Sequence, residues 1–238
     1  MNPFTPLWPD GPLFAPAPNA ALSTDSVLLA DFVRIRGAVS GIDLGCASGA
    51  ILLMLLSRGN HVRMTGIELL PDAAELAVHA LERNGYSDRA EILCGDLREY
   101  RTLLPGRKFD FVVSNPPYYP PGTGAVSPNR IRADARSELS CTLEDLCLAA
   151  SALCRTGGSF YLVHKPERLS EIFVTLNRNA LEPKRLRTVC SRSGKPPSLI
   201  LIEARKGGKP GLKIEPALIL QTDSGEESEE YRRIYHRK

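Results

Sequence analysis

The chain has 238 residues, 43% of them hydrophobic and 24% charged, with a formal net charge of +3, enough for one α/β domain with a small appendage at most. No apolar run approaches a membrane span, and no charged start followed by an apolar block marks a secretory signal, so the cytoplasm is the expected compartment. The six cysteines include no C-x-x-C pair and the four histidines no H-E-x-x-H, so neither a structural zinc site nor a metalloprotease is indicated and no metal is expected.

Pro3, Pro6, Pro9, Pro12, Pro16 and Pro18 crowd the first twenty residues without an apolar period. Residues 1–22 therefore read as an irregular arm, with Trp8 and Phe14 as possible anchors. Ser23 or Thr24 then caps a helix with Asp25 in its first turn and Val27, Leu28, Leu29 and Phe32 as its buried stripe. From there strands and helices alternate. The first strand, Val39 to Leu44, runs through Asp43 into the turn Gly45-Cys46-Ala47-Ser48-Gly49 and the apolar helix Ala50 to Leu56. A strand, a glycine turn and a helix N-terminus let backbone approach a ligand closely with N–H groups pointing outward.

The second strand, Val62 to Glu68, ends in an acid about twenty positions on, where nucleotide-binding α/β units hold ribose hydroxyls. Pro71 opens a helix that Gly85 stops, and a third strand, Ala90 to Cys94, ends at Gly95-Asp96. The fourth, Phe109 to Ser114, ends at Asn115-Pro116-Pro117-Tyr118. Leu143 to Cys154 reads as a helix, turned by Gly157-Gly158 into a fifth strand, Ser159 to His164. A helix follows Pro166, and the runs Arg187 to Ser191 and Leu199 to Ala204 read as a closing antiparallel pair. Residues 223–238 place Glu226, Glu227, Glu229 and Glu230 before Arg232, Arg233, Arg237 and Lys238, the pattern of a solvated or frayed end. Residues 23–222 then form one domain.

The Asn115 turn carries the chemistry. Proline after Asn115 forces extended geometry, and neither proline has an N–H, so the carbonyls of Asn115 and Pro116 stay free to accept from a ligand. With the Asn115 amide oxygen, two acceptors converge on one point. That suits an exocyclic NH2 group, with Tyr118 as a surface on which its ring stacks.

The glycine turn fits either a dinucleotide or S-adenosylmethionine. The dinucleotide fingerprint wants three glycines. Here D-x-G-x-x-x-G sets the Asp43 carboxylate where a pyrophosphate is repelled and an ammonium group is welcome, which favours S-adenosylmethionine.

Asp43-Leu44-Gly45-x-x-x-Gly49, Glu68, Gly95-Asp96 and Asn115-Pro116-Pro117-Tyr118 resemble the Rossmann-type class I methyltransferases that modify exocyclic or amide nitrogens. More narrowly, the chain resembles bacterial tRNA adenine-N6 methyltransferases acting beside the anticodon of a valine tRNA. The narrower likeness rests on Leu22 to Phe32, on Gly124, Pro128, Asn129 and Ala135-Arg136, on His164 to Leu169 and on Leu181 to Leu186; Ser137 stands where relatives commonly have His. The resemblance implies a mostly parallel seven-stranded sheet with helices on both faces and an antiparallel C-terminal strand pair. It implies S-adenosylmethionine held by Asp43, Gly45, Ala47, Gly49, Glu68, Leu69, Asp96, Leu97 and Asn115, with Asn115, Pro116, Pro117 and Tyr118 at the target amine.

Between Arg178 and Lys213 ten Lys or Arg stand against Glu182 and Glu203, an electrostatic footprint suited to a polyanion such as tRNA. Lys165, Arg168, Lys184, Arg185 and Arg187 are the phosphate-contact candidates, with Arg130, Arg132 and Arg136 as a second set. A protein glutamine amide offers the same two donors to the turn as adenine does, and DNA or rRNA bases share the logic. A non-catalytic nucleotide- or RNA-binding module would have no use for the Asn115 turn.

Overall fold

The computed structural model describes residues 4–16, 22–35, 39–118 and 141–237. Arg130, Arg132, Arg136, Ser137 and the flanking motif residues 124–135 lie outside the described residues.

Seven strands build the sheet: β3 (Val39–Leu44), β4 (Val62–Glu68), β5 (Ala90–Cys94), β6 (Phe109–Ser114), β7 (Cys154–His164), β8 (Leu181–Cys190) and β9 (Pro197–Lys206). Their order is β5-β4-β3-β6-β7-β9-β8. All pairings are parallel except those of β9 with β7 and β8. Two-residue strands β10 (Lys213–Ile214) and β11 (Leu218–Ile219) add to the outer edge of β8. The chain winds outward from β3 through β5 and returns to β6 on the other side of β3. That reversal is the switch point where open parallel sheets bind ligands.

Two-residue periodicity assigns the strand side chains to opposite faces. Phe111, Val113, Tyr161, Val163, Leu199 and Leu201 join one core with α1 (Thr24–Phe32), α2 (Ala50–Leu56) and α3 (Pro71–Arg83). Val112, Phe160, Leu162, Ile200 and Ile202 join the other with α5 (Leu143–Leu153) and α6 (Leu169–Arg178). A short 3-10 turn, Leu97–Glu99, and α4 (Tyr100–Leu103) follow β5.

Three details differ from the sequence reading. β7 begins at Cys154, so Gly157-Gly158 lies inside the strand. The parallel register with β6 shifts between Phe109 and Phe111, and Gly157 takes a φ of +78°, so the glycines bend a continuous strand rather than open it. β8 likewise begins at Leu181 and carries Pro183 at a register shift against β9, which spares the ladder a missing donor. The charged end also folds: Ser228 caps α7 (Glu229–Ile234), whose Ile234 is buried, and Arg233 pairs with Asp31 of α1. Acids in its first turn and arginines in its last complement the helix dipole, a gain that the block pattern hid.

The arm holds a hairpin of β1 (Thr5–Pro6) and β2 (Leu13–Phe14). It is tied to the end of α3 by two 2.8 Å hydrogen bonds between the Leu13 backbone and the Asn84 side chain. Phe14 is buried, and Trp8 stacks on His236 at 4.2 Å. A cavity of about 620 Å³ lies between this hairpin, α1 and the C-terminal helix, and none of the residues at the ends of β3, β4 and β6 lines it.

Candidate active site

The carboxyl ends of β3, β4 and β6 meet at the switch point. Gly45 and Cys46 both donate backbone N–H groups to the Ile67 carbonyl, at 2.9 and 3.0 Å, fastening the glycine turn to the end of β4. The Ser114 hydroxyl donates to the Leu44 carbonyl at 2.7 Å, fastening the end of β6 to the end of β3. Gly45 and Gly49 take φ of +79° and +86°, and Ala47 takes +48°. A Cβ built on Gly45 meets nothing within 4 Å, so the turn is open on the side where a ligand's chain would lie. Gly49 caps α2 without a side-chain hydrogen bond, leaving the first N–H groups of that helix to a ligand or to water.

Glu68 has a structural task beyond the ribose contact inferred from its position. One carboxylate oxygen accepts from the Ala47 N–H and the other from the Leu70 N–H, both at 2.8 Å. It therefore holds the glycine turn and the start of the next segment together, and its remaining lone pairs are what it can offer to hydroxyls. Asp43, only 1% exposed, has no hydrogen-bond partner on either oxygen among the described residues. Burial, and after it the Glu68 carboxylate, push its pKa well above the usual carboxylate range. An orphaned buried carboxyl at the mouth of the turn fits a ligand ammonium group, which would restore both its charge and its hydrogen bonds.

Asp96 caps the 3-10 turn through the Arg98 N–H at 2.9 Å and is forked by the Arg98 guanidinium, whose hydrogen bond holds its carboxyl below the usual range. Leu97 is half-buried beside it, and Leu69 is exposed at 38%.

Asn115 is fixed by residues that sequence reasoning did not connect to it. Its amide nitrogen donates to the hydroxyls of Ser26 at 3.0 Å and Ser23 at 3.3 Å, both at the start of α1. Its amide oxygen is thereby the acceptor end, within 3.0 Å of the Tyr118 hydroxyl as a donor. That hydroxyl also donates to the Asp25 carboxylate. One hydroxyl proton stands between two acceptors and the carboxylate is the stronger, which leaves amide-oxygen lone pairs for another donor. The Tyr118 ring lies 5.2 Å from that of His164 and 5.3 Å from the Lys165 ammonium, and its carbonyl accepts from Arg168 at 3.2 Å. Pro116 is half-buried and Pro117 exposed at the lip.

His164 is buried, and its Nδ1 accepts from the Lys165 N–H at 2.8 Å. Burial, with Arg168 adding to it, pushes its pKa down to about 4, so the imidazole is neutral at neutral pH. The only sequence signal for these partners was the helix cap at Ser23. Asp25 and Tyr118 are 93 positions apart.

The basic candidates separate. Arg185, expected at a phosphate, is buried instead: its guanidinium bonds Glu203 at 2.6 Å and Glu215 at 2.9 Å and lies over Phe32. Two carboxylates, Glu203 buried and Glu215 half-buried, already satisfy it. Arg187 is paired with Glu230 at 2.7 and 2.9 Å, and Arg168 with Glu171 at 2.7 and 2.8 Å. Lys184 donates to the Lys209 carbonyl, while Lys165 stands beside Tyr118. No described helix is long and apolar enough to cross a membrane, and no three metal-ligating side chains cluster among the described residues.

A sheet of order β5-β4-β3-β6-β7-β9-β8 with a glycine turn, an orphaned acid and an Asn-Pro-Pro-Tyr turn at its switch point defines a class I methyltransferase, whose cofactor is S-adenosylmethionine. The methyltransferase small domain family matches residues 20–178, and the chain belongs to that family. A relative from Porphyromonas gingivalis, named tRNA1(Val) (adenine(37)-N6)-methyltransferase, is 33% identical over 222 residues, covering 90% of this chain and 86% of its own. One of the same name from Enterobacter sp. is 30% identical, covering 76% and 73%. A solved structure described as a predicted O-methyltransferase from Agrobacterium tumefaciens superposes with a TM-score of 0.73 at 23% identity, covering 90% of this chain and 96% of that one. The T. thermophilus 16S rRNA N2 G1207 methyltransferase, solved with AdoMet and guanosine, has a TM-score of 0.54 at 22% identity, covering 78% of this chain and 44% of its own.

Proposed function

We propose that this methyltransferase transfers a methyl group to N6 of an adenine in the anticodon loop of tRNA, a valine tRNA by the names of its relatives. The observation that carries the reading is the fixed Asn115 amide: with both serine hydroxyls on its nitrogen, its oxygen is the acceptor presented beside the glycine turn. The cytoplasm is the compartment in which such a substrate is met.

Asp43, Glu68 and the open Gly45 turn suit S-adenosylmethionine, with Asp43 facing the methionine ammonium and Glu68 and Asp96 toward the adenosine end. When bound, that cofactor supplies an electrophilic methyl on a sulfonium. The protein's task is to present the nucleophile. An adenine amine is weakly nucleophilic because its lone pair is delocalised into the ring. Acceptance of its two hydrogens by the Asn115 amide oxygen and the Pro116 carbonyl favours localisation of that pair on nitrogen. The C–S bond breaks as the C–N bond forms, and N6 then sheds a proton to solvent, so no strong base is required. Tyr118, held through its hydroxyl and its carbonyl, supplies a flat surface for a base already out of the stack in a loop, where extrusion costs least. Alignment and electrostatics carry the acceleration.

Nucleoside analysis after incubation with S-adenosylmethionine and unmodified tRNA should yield N6-methyladenosine. Asn115→Ala should bind cofactor normally yet transfer methyl about 10²- to 10³-fold more slowly in single turnover at saturating cofactor. Methylation of a glutamine peptide with tRNA untouched, or a wild-type rate for Asn115→Ala, would overturn the assignment.

A further inference from the structure

The basic stretch of the sequence is divided by strand direction into two groups at opposite edges of the sheet. β8 runs parallel to β7, since both are antiparallel to β9. Its end at Cys190 therefore lies at the same edge as His164, Ser114 and Leu44, the edge that carries the active site. Lys184 is six residues before that end, about 20 Å down the strand, and with Lys206 and Lys209 belongs to the far edge. The 191–196 hairpin projects beyond β8 and β9 on the active-site side. All six of its residues are exposed, with Gly194 making the turn at a φ of +71°.

The two cations of that hairpin differ from most of the other arginines near the site. Arg168, Arg185 and Arg187 are each neutralised by a carboxylate, whereas Arg192, Lys195 and Lys165 make no ion pair among the described residues. Arg192 makes only a long contact, 3.4 Å, to the Gln221 side chain. Lys165 joins the hairpin to the site: its ammonium is 5.3 Å from the Tyr118 ring and donates to the Ser198 carbonyl at the base of β9 at 3.4 Å. The turn after Gln221, which carries Asp223 and Glu226, is joined to the hairpin by the Gln221 N–H, which donates to the Ser191 carbonyl at 2.9 Å.

We propose that the 191–196 hairpin, through Arg192 and Lys195 with Lys165 as the intermediate cation, grips the phosphate backbone of the RNA on one side of the adenine presented to Asn115. The proposal rests on the tRNA reading above and names the surface that carries it. A row of cations outside any described ion pair, starting at the stacking tyrosine and ending on an exposed hairpin, has the charge and placement for a single-stranded backbone leaving the site. The far-edge lysines lie at the opposite ends of the strands from the site.

The test is the salt dependence of methyl transfer to unmodified tRNA. Losing two single-strand phosphate contacts should lower the slope of log kcat/KM against log salt by about 1.4. Arg192→Gln/Lys195→Gln should show that drop and a raised KM, with kcat and cofactor affinity by calorimetry unchanged. Lys184→Gln/Lys209→Gln should keep the wild-type slope. An unchanged slope in the hairpin variant, or an equal drop in the far-edge variant, overturns the hairpin assignment while leaving the tRNA reading intact. Wild-type enzyme inert on tRNA but active on a glutamine peptide or DNA overturns the reading itself.

Discussion

Replacing Glu68 by alanine tests whether the cofactor cradle is assembled by one carboxylate. From position alone Glu68 is a ribose ligand, and its loss would weaken binding in an otherwise intact fold. The structure asks more of it, because its two oxygens hold the Ala47 and Leu70 N–H groups at 2.8 Å each. Each hydrogen bond to a charged group contributes about 1.5–3 kcal/mol. Water entering the vacated, ligand-facing site recovers part of that sum, and relief of the Glu68–Asp43 repulsion recovers more. A net loss of about 2–4 kcal/mol remains, which in a domain of this size is about 4–16 °C in Tm. Ala47, at a φ of +48°, is then no longer held in its left-handed conformation, and cofactor affinity should fall by about 10- to 100-fold. Glu68→Gln should rescue little, since its amide accepts from one N–H and turns a second donor toward the other. Thermal denaturation of the free protein, followed by titration calorimetry below the new Tm, reads both effects. Wild-type Tm and wild-type affinity in Glu68→Ala would refute the cradle argument.

Two further expectations concern neighbouring carboxylates. Asp43, raised by burial and then by Glu68, binds a proton more readily in the folded chain than in the unfolded one, so its contribution to stability is lost as pH rises from the ordinary carboxylate range toward its folded value. A bound ammonium reverses that preference. In mildly acidic buffers of differing ionisation heat, cofactor binding should therefore release a proton from wild type and none from Asp43→Asn, and a buffer-independent heat for wild type would exclude it. Asp25→Ala and Tyr118→Phe should each slow single-turnover methyl transfer by about tenfold without altering cofactor affinity, and the double variant should be no slower, because the two side chains act on Asn115 as a unit. Additive losses would separate them.

What was legible in the sequence was set within a short window. The boundaries of β3, β4 and β5 follow from apolar runs closed by Gly45, Glu68 and Gly95, and the proline pair after Asn115 ends β6 whatever surrounds it. Long-range pairing was not legible. Arg185 reads as a free cation until β8 is laid against β9 and the following strand, which bring Glu203 and Glu215 to it across 18 and 30 positions. Asp25 reads as a first-turn acid until α1 is packed beneath the Asn115 turn.

The same limit explains why a count of basic residues does not by itself place a footprint on the fold. A strand of ten residues such as β8 spans about 30 Å, so cations from one continuous stretch are distributed between the two edges of the sheet. Only the edge at which the parallel strands end belongs to the active site. Sorting by strand direction moves weight from Lys184 and Arg185 to Arg192 and Lys195. In a fold whose chemistry sits at one edge of a parallel sheet, the antiparallel pair of β8 and β9 returns chain to that edge after α6. Its hairpin, residues 191–196, thereby stands at the same strand ends as a site built from β3, β4 and β6.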